Sequence, residues 1–470
     1  VLFSSVIFLF AFLPICLITY YLTPRPMKNG VLLLFSLFFY AWGEPRYVFL
    51  MILSIVVNYF VGLALSRRRH KTILGLAIAF NLLVLIFFKY CGFLISTFFG
   101  MTHLPFVLPD FVANIALPIG ISFYTFQILS YIIDVYRGKA AVQNNILSLG
   151  LYISLFPPLI AGPIVRYNDI ARQIVSRTAD PDKITAGIRR FIVGLSKKVL
   201  LANVFAQTAD KIFDSAFPSL STPIAWLGIV CYTLQIYFDF SGYSDMAIGL
   251  AKMFGFDIPE NFNYPYISRS VQEFWRRWHI SLSSWFRDYV YIPLGGSRKG
   301  KGRVLFNLAV VFFLCGLWHG ASWSFVAWGL YHGVFLIAER LFLKDVLEKI
   351  PHFLRHVYLI TVIMVGWVFF RITQIADAAA YLHIMFTPHA GDGALVSATI
   401  GLTPHLVLVL LVGILASAPV AGVVRARTQG RTALRKGLAA AELVVLALLF
   451  MMCIAALASD SYNPFIYFRF

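Results

Sequence analysis

Residues 47–88, YVFLMILSIVVNYFVGLALSRRRHKTILGLAIAFNLLVLIFF, decide the class of fold. Two apolar runs, 47–65 and 72–89, flank the basic cluster RRRHK at 67–71. Each run is close to the ~20 residues a helix needs to cross the hydrocarbon of a bilayer, where backbone polar groups must be satisfied internally. Similar runs lie upstream at 2–22 and 30–42, the second short enough to read as tilted or partly interfacial. The whole chain of 470 residues is 60% hydrophobic and 13% charged, against roughly a quarter charged in soluble proteins. Repeated spans therefore fill most of the length and leave room only for short loops. The expectation is an all-α polytopic membrane protein, a single integral membrane domain over 1–470, with no separate soluble enzyme.

A net charge of +18 could point to nucleic acid, but the lysines and arginines sit in short clusters between apolar runs. The positive-inside rule accounts for them, so no nucleic-acid partner is expected. Basic loops at RRRHK, YRGK (136–139), RKGKGR (298–303) and RARTQGRTALRK (425–436) are assigned to the cytoplasm. The stretch 90–114, free of Lys and Arg, falls outside. A last span at about 438–458 then leads outward, and both termini are expected to be extracytoplasmic. VLFSSVIFLFAFLPICLITYYL has no basic region before its apolar run and no small-residue cleavage site. It reads as a retained first helix, bent near Pro14. The five cysteines, Cys16, Cys91, Cys231, Cys315 and Cys453, are scattered through apolar stretches, which argues against a disulfide framework or a metal site.

Between 161 and 300 the apolar runs shorten and charge interrupts them. RRFIVGLSKKVLLANVFAQTADKIF (189–213) alternates apolar and basic residues at helical spacing. Interfacial helices would look like this, as would helices lining a buried polar funnel.

Three stretches could carry chemistry. In LCGLWHGASWSFVAWGLYHG (314–333), His319 lies within an apolar run, where an ionisable group is expensive and faces a cavity or a partner. Gly316 and Gly320, four apart, would share a helical face and leave space for a substrate beside the imidazole. His332, thirteen residues on, falls roughly 220° round a continuous helix and should not share that face. A structural histidine bonded to a neighbouring helix is an equally open reading. In EFWRRWHISLSSW (273–285), His279 follows Arg276 and Arg277, with Trp275 and Trp278 interleaved. The guanidinium forks could hold phosphates, or the stretch could be a membrane-surface helix with interfacial tryptophans. In QIYFDFSGYSDMAIGLAKMFGF (235–256), Asp239 and Asp245 must be paired or solvated, and could position a histidine or cap an arginine. No Walker loop, HExxH or GxSxG elbow occurs.

These stretches, together with LPIGISFYTFQILSYIIDVYRG (117–138) and FPPLIAGPIVRY (156–167), resemble the membrane-bound O-acyltransferases (MBOAT), in particular their bacterial alginate O-acetyltransferase-like branch. The motifs are long, stand in the family's order and reach to residue 340, with core motifs at 161–340. The resemblance implies a ring of about 10–12 transmembrane helices, with interfacial or re-entrant ones, around a central catalytic tunnel. It implies a catalytic His319, with His279 as a second functional histidine. Acetyl-CoA would be the cytoplasmic acyl donor, with no tightly bound cofactor and no metal. The acceptor would be an envelope polysaccharide of alginate, cellulose or peptidoglycan type.

On that reading His319 takes the proton of an alcohol, and His279 or a backbone N–H near it serves the oxyanion. Arg276, Arg277 and the RKGKGR loop are candidates for the donor phosphates. Asp239, Asp245 and Trp318 are further substrate-side candidates. A proton-coupled transporter or flippase for a glycan precursor is the rival reading; it lacks an internal repeat. The resemblance further implies a bacterial inner-membrane location among lipids and, because members of this branch usually work with an extracytoplasmic partner and no such soluble domain is present here, a separate periplasmic acyltransferase partner.

The tail 459–470 holds NPFIYFRF (463–470). One reading is an aromatic anchor, with Phe465, Phe468 and Phe470 in the interface. In the other, the tail reaches back, since eight extended residues beyond Ser459 span up to roughly 26–29 Å. FIYFRF resembles a C-terminal tyrosine motif on the small membrane partner of the teichoic-acid D-alanylation transferase. By that resemblance Tyr467 is a candidate acyl relay.

Overall fold

The computed structural model describes residues 2–102, 109–113, 115–178, 180–391, 403–428, 432–459 and 462–465. The described residues contain helices and turns and no strand. Among the described residues, seven helices are long and apolar enough to cross a membrane, and three shorter apolar ones accompany them. The chain forms two compact units, one of residues 1–191 and 246–259, the other of 192–245 and 260–470.

The first unit opens with α1 (Phe8–Leu22), followed by α2 (Lys28–Gly43), α3 (Tyr47–Arg67), α4 (Lys71–Thr102) and α5 (Ile121–Tyr136). The irregularity expected at Pro14 appears one turn earlier, as a π-helical start over Phe8–Phe12. A π turn leaves an unpaired carbonyl ahead of the proline, whose nitrogen has no hydrogen to donate. α4 corrects the loop expected from residue 90: the helix continues to Thr102, because the run 90–102 contains neither proline nor charge. Asn58 on α3 and Asn81 on α4 exchange amide hydrogen bonds of 3.1 and 2.9 Å, both buried. Reciprocal amides of this kind join helices that have no hydrophobic drive to associate inside lipid. The RRRHK loop and the YRGK turn come together as one basic end: a Cβ on Gly138 would lie 2.8 Å from the Arg69 guanidinium.

The second unit holds α6 (Asn203–Phe213) and most of α7 (Thr222–Met253), whose apolar window is 78% buried. Two short helices follow, α8 (Val271–Arg277) and α9 (Ile280–Phe286). After them come α10 (Lys301–His319), α11 (Trp323–Ala338), α12 (His352–Arg371) and the final apolar span Gly437–Ser459. α10 and α11 form the tightest pair. A Cβ on Gly316 would sit 2.3 Å from the Phe325 carbonyl oxygen, and one on Gly329 2.3 Å from that of Phe312. Only glycine lets the two backbones meet this closely.

The described part of the tail is part of this unit's core. Phe465 is buried and packs on Tyr243, ring centroids 4.8 Å apart, which corrects its reading as an interfacial anchor. The Lys198 ammonium donates to the Pro464 carbonyl, and Tyr462 donates to Asp210. Tyr467, Phe468 and Phe470 lie outside the described residues.

Candidate active site

α8 starts where Ser270 accepts from the Glu273 N–H, while the Glu273 carboxylate accepts from the backbone N–H of Arg269, one residue before the cap. Glu339, from the end of the α11 segment, accepts from the N–H groups of Val271 and Gln272 at 2.6 and 2.9 Å. So anchored, α8 carries Trp275 and Trp278 into the core. They are 7% and 2% exposed, buried packing residues rather than interfacial markers.

The chain then breaks. Trp278 is extended and His279 adopts φ +44°, one of two described non-glycine residues in the left-handed region. A β-carbon makes that conformation costly, and surrounding structure has to hold it. Asn261 does so. Its backbone carbonyl accepts from Ile280 N–H at 3.0 Å, and its side-chain oxygen accepts from Ser281 N–H at 3.2 Å and Ser281 Oγ at 2.8 Å. The same oxygen lies 3.1 Å from His279 Nδ1. His279 is wholly buried, and its Nε2 has no hydrogen-bond partner among the described residues. Burial pushes this imidazole down to about 3, so the ring is neutral.

His319 ends α10, and the turn at Gly320–Ser322 reverses the chain into α11, where Ser322 accepts from Phe325 N–H. Trp318 lies between the two sequence-predicted histidines: its ring centroid is 5.7 Å from that of His279 and 4.9 Å from that of His319. Trp328 and Phe370 pack on His319 at 4.9 and 5.1 Å, and Phe240 on His279 at 4.7 Å. Aromatic walls leave each imidazole in a dry, shaped setting, where charge developing during a reaction is felt strongly.

Several expectations change here. The helix between His319 and His332 is not continuous, so their spacing does not separate them. Both rings pack against Trp328, His332 at 5.2 Å. Gly316 and Gly320 make no room for a substrate, because Gly329 and Phe325 fill that face. The backbone N–H groups next to His279 are not free for an oxyanion, since Ile280 and Ser281 N–H are both taken by Asn261. Asp239 and Asp245 pair with lysines, Lys198 at 2.8 Å and Lys197 at 2.7 Å. Arg277 is bound to Glu273 at 2.9 Å and to the Asn263 carbonyl at 3.1 Å, while Arg276 is exposed, with no ion pair among the described residues. The RKGKGR loop opens α10 at the end opposite His319, about 27 Å away along 18 helical steps.

Asn261, Trp328, His332 and Phe240 were not singled out as site residues. Trp328 is wholly buried, and its indole N–H has no acceptor among the described residues. No group of three or more His, Cys, Asp or Glu that could hold a metal occurs among the described residues.

The sequence model of the membrane-bound O-acyltransferase family matches residues 137–376, a range containing both histidines. A probable alginate O-acetylase of Azotobacter vinelandii is 40% identical, with all of both chains covered. A peptidoglycan O-acetyltransferase of Helicobacter pylori is 37% identical over 81% of this chain and 79% of its own. A teichoic acid D-alanyltransferase of Bacillus subtilis is 31% identical over 48% of this chain and 60% of its own.

Proposed function

We propose that this chain, which belongs to the membrane-bound O-acyltransferase family, carries acetyl from acetyl-CoA across a bacterial inner membrane for O-acetylation of an envelope polysaccharide. Membership makes it a multi-pass membrane enzyme that transfers acyl groups to oxygen. The acetyl group and the polysaccharide acceptor rest on the names of its alginate and peptidoglycan O-acetylating relatives. The observation that carries a reactive centre is the pair of buried imidazoles, His279 and His319, packed on Trp318.

In the reaction, the acceptor oxygen attacks the thioester carbonyl carbon while its proton passes to an imidazole, here His319. The tetrahedral intermediate expels the thiolate, which takes the proton back, leaving an acetyl ester and a free thiol. His319 sits at the carbonyl end of α10, whose dipole favours the positive charge it acquires. Support for an oxyanion donor comes from the Trp328 indole N–H, buried beside His319. Arg276 remains the arginine available for a donor phosphate.

On this reading Tyr467 receives the acetyl at its phenol and passes it to a periplasmic acyltransferase partner, which completes transfer to the sugar. Support comes from the preceding segment, since Pro464 and Phe465 are held within the same unit as the two histidines. The full chain in detergent, given radiolabelled acetyl-CoA and the partner, is the test. Thioester cleavage lost in His319→Ala is expected; turnover unchanged by that substitution sinks the reading. Glycan acetylation unchanged in Tyr467→Phe removes the relay alone.

A further inference from the structure

Two ion pairs that hold the tail each stand one residue from a wall of the site. The Lys198 ammonium pairs with Asp239 at 2.8 Å and also donates to the Pro464 carbonyl. The residue after Asp239 on α7 is Phe240, whose ring packs on His279. Tyr462 donates to Asp210, and Asp210 pairs at 3.1 Å with Arg371. The residue before Arg371 on α12 is Phe370, whose ring packs on His319. Each tail contact is therefore fixed to a helix that walls one of the two imidazoles. Asn203 adds bonds to the Tyr462 carbonyl at 3.4 Å and to Asn463 Oδ1 at 3.3 Å. Pro464 stiffens the approach, since it locks its own φ and biases Asn463 toward extended backbone. An aromatic anchor at headgroup depth would need none of these buried polar ties.

We propose that Lys198 and Asp210 are positioning residues that seat the C-terminal tail beside the two-histidine site and so limit where the residues beyond Phe465 can reach. An ammonium has three N–H donors. Asp239 takes one and keeps the buried charge matched, and another is spent on the tail. Two residues past Phe465, Tyr467 lies within about 7 Å of it, Cα to Cα, by the length of the chain. The proposal deepens the acyl-relay reading and rests on it only for what the seated tail carries. On that reading the Tyr467 phenol oxygen attacks the thioester carbonyl carbon and gives its proton to His319. The carbon–sulfur bond breaks, the thiolate takes the proton from His319, and Tyr467 is left as an acetyl ester. A seated hydroxyl need not be gathered from a free tail at each turnover, which is the gain from holding a reactant in place.

Two measurements on the full chain in detergent separate the seat from the relay. Carboxypeptidase trimming, followed by intact mass, reads the seat without turnover. Tyr462→Phe removes one hydroxyl; Lys198→Met combined with Asp239→Leu removes the donor to Pro464 and leaves no unpaired charge. Each should speed trimming past Phe465 by about tenfold or more, the effect of losing one charge-assisted hydrogen bond. Tyr462→Phe should keep a melting temperature close to the parent's, so that faster trimming reports the tail and not general unfolding. Trimming at the parent's rate in Tyr462→Phe overturns the seat, and that variant decides alone if the paired substitution does not fold. Acetyl on Tyr467, read by mass of the C-terminal peptide after incubation with acetyl-CoA, reads the relay. Its initial rate should fall by about tenfold in step with the faster trimming. Faster trimming with an unchanged acetylation rate overturns the positioning role. Thioester cleavage in the parent without acetyl on Tyr467 sinks the relay and leaves the seat to the trimming result.

Discussion

Lys198 and Asp239 meet at 2.8 Å with both side chains almost wholly enclosed, at 3% and 2% exposure. Such a pair depends on both members, because a lone buried charge loses its water without compensation. Asp239→Asn should destabilise the protein by roughly 3–5 kcal/mol. Lys198→Met combined with Asp239→Leu should recover most of that loss. Thermal unfolding in one detergent checks both. If the single substitution is as stable as the parent, the pair is not what holds this region.

The glycines of α10 and α11 are not equivalent. Gly316→Ala and Gly329→Ala each force a methyl to within 2.3 Å of a backbone oxygen. Each should cost at least about 1–3 kcal/mol, with loss of monodisperse protein on size-exclusion chromatography. Gly333→Ala meets only the Phe312 side chain, nearest at 3.2 Å, and should cost less than either, because it needs a shift of a few tenths of an ångström and meets no backbone oxygen.

Acid should weaken the fold through His279. An unfolded imidazole takes up a proton as pH falls through 6.5, whereas the buried ring does so only near 3. The unfolded state therefore binds more protons between those values, and stability declines as pH falls across that window. At pH 5 the contribution is about 2 kcal/mol. Unfolding curves at pH 7 and pH 5 should show a larger drop in the native protein than in His279→Gln.

The neighbouring arginines should separate in their effects. Arg277→Ala removes the ties to Glu273 and to the Asn263 carbonyl and should lower the melting temperature. Arg276→Ala should leave stability within about 0.5 kcal/mol and raise KM for the acyl thioester if its charge meets a donor phosphate. Unchanged KM would release Arg276 from that role.

Hydropathy and charge are local properties, and the spans and the shared basic end of RRRHK and YRGK were legible from them. His319 and His279 were legible as ionisable groups in apolar surroundings. The break at Gly320 was not: Gly316 and Gly320 have the spacing of one helical face, and Ser322 lacks the Glu or Gln three residues on that would announce a cap. Nor was the partner of Asp239. Lys197 and Lys198 read as one basic stripe, but they open a π-helical stretch, Lys197–Ala202, whose wider turn changes the angle between successive side chains. Asn261 acts on a residue 18 positions away through a turn that no periodicity encodes.

α4 has a geometric consequence. Its 32 residues make a rod about 48 Å long, against roughly 30 Å of hydrocarbon. Its far third still presents Leu94, Phe98 and Met101 at 53–75% exposure. Stood upright, the rod would push about 18 Å of greasy surface into water. It must therefore lean well past the ~20° typical of membrane helices or run along the headgroups for its last turns, and the bilayer bordering α4 is met aslant.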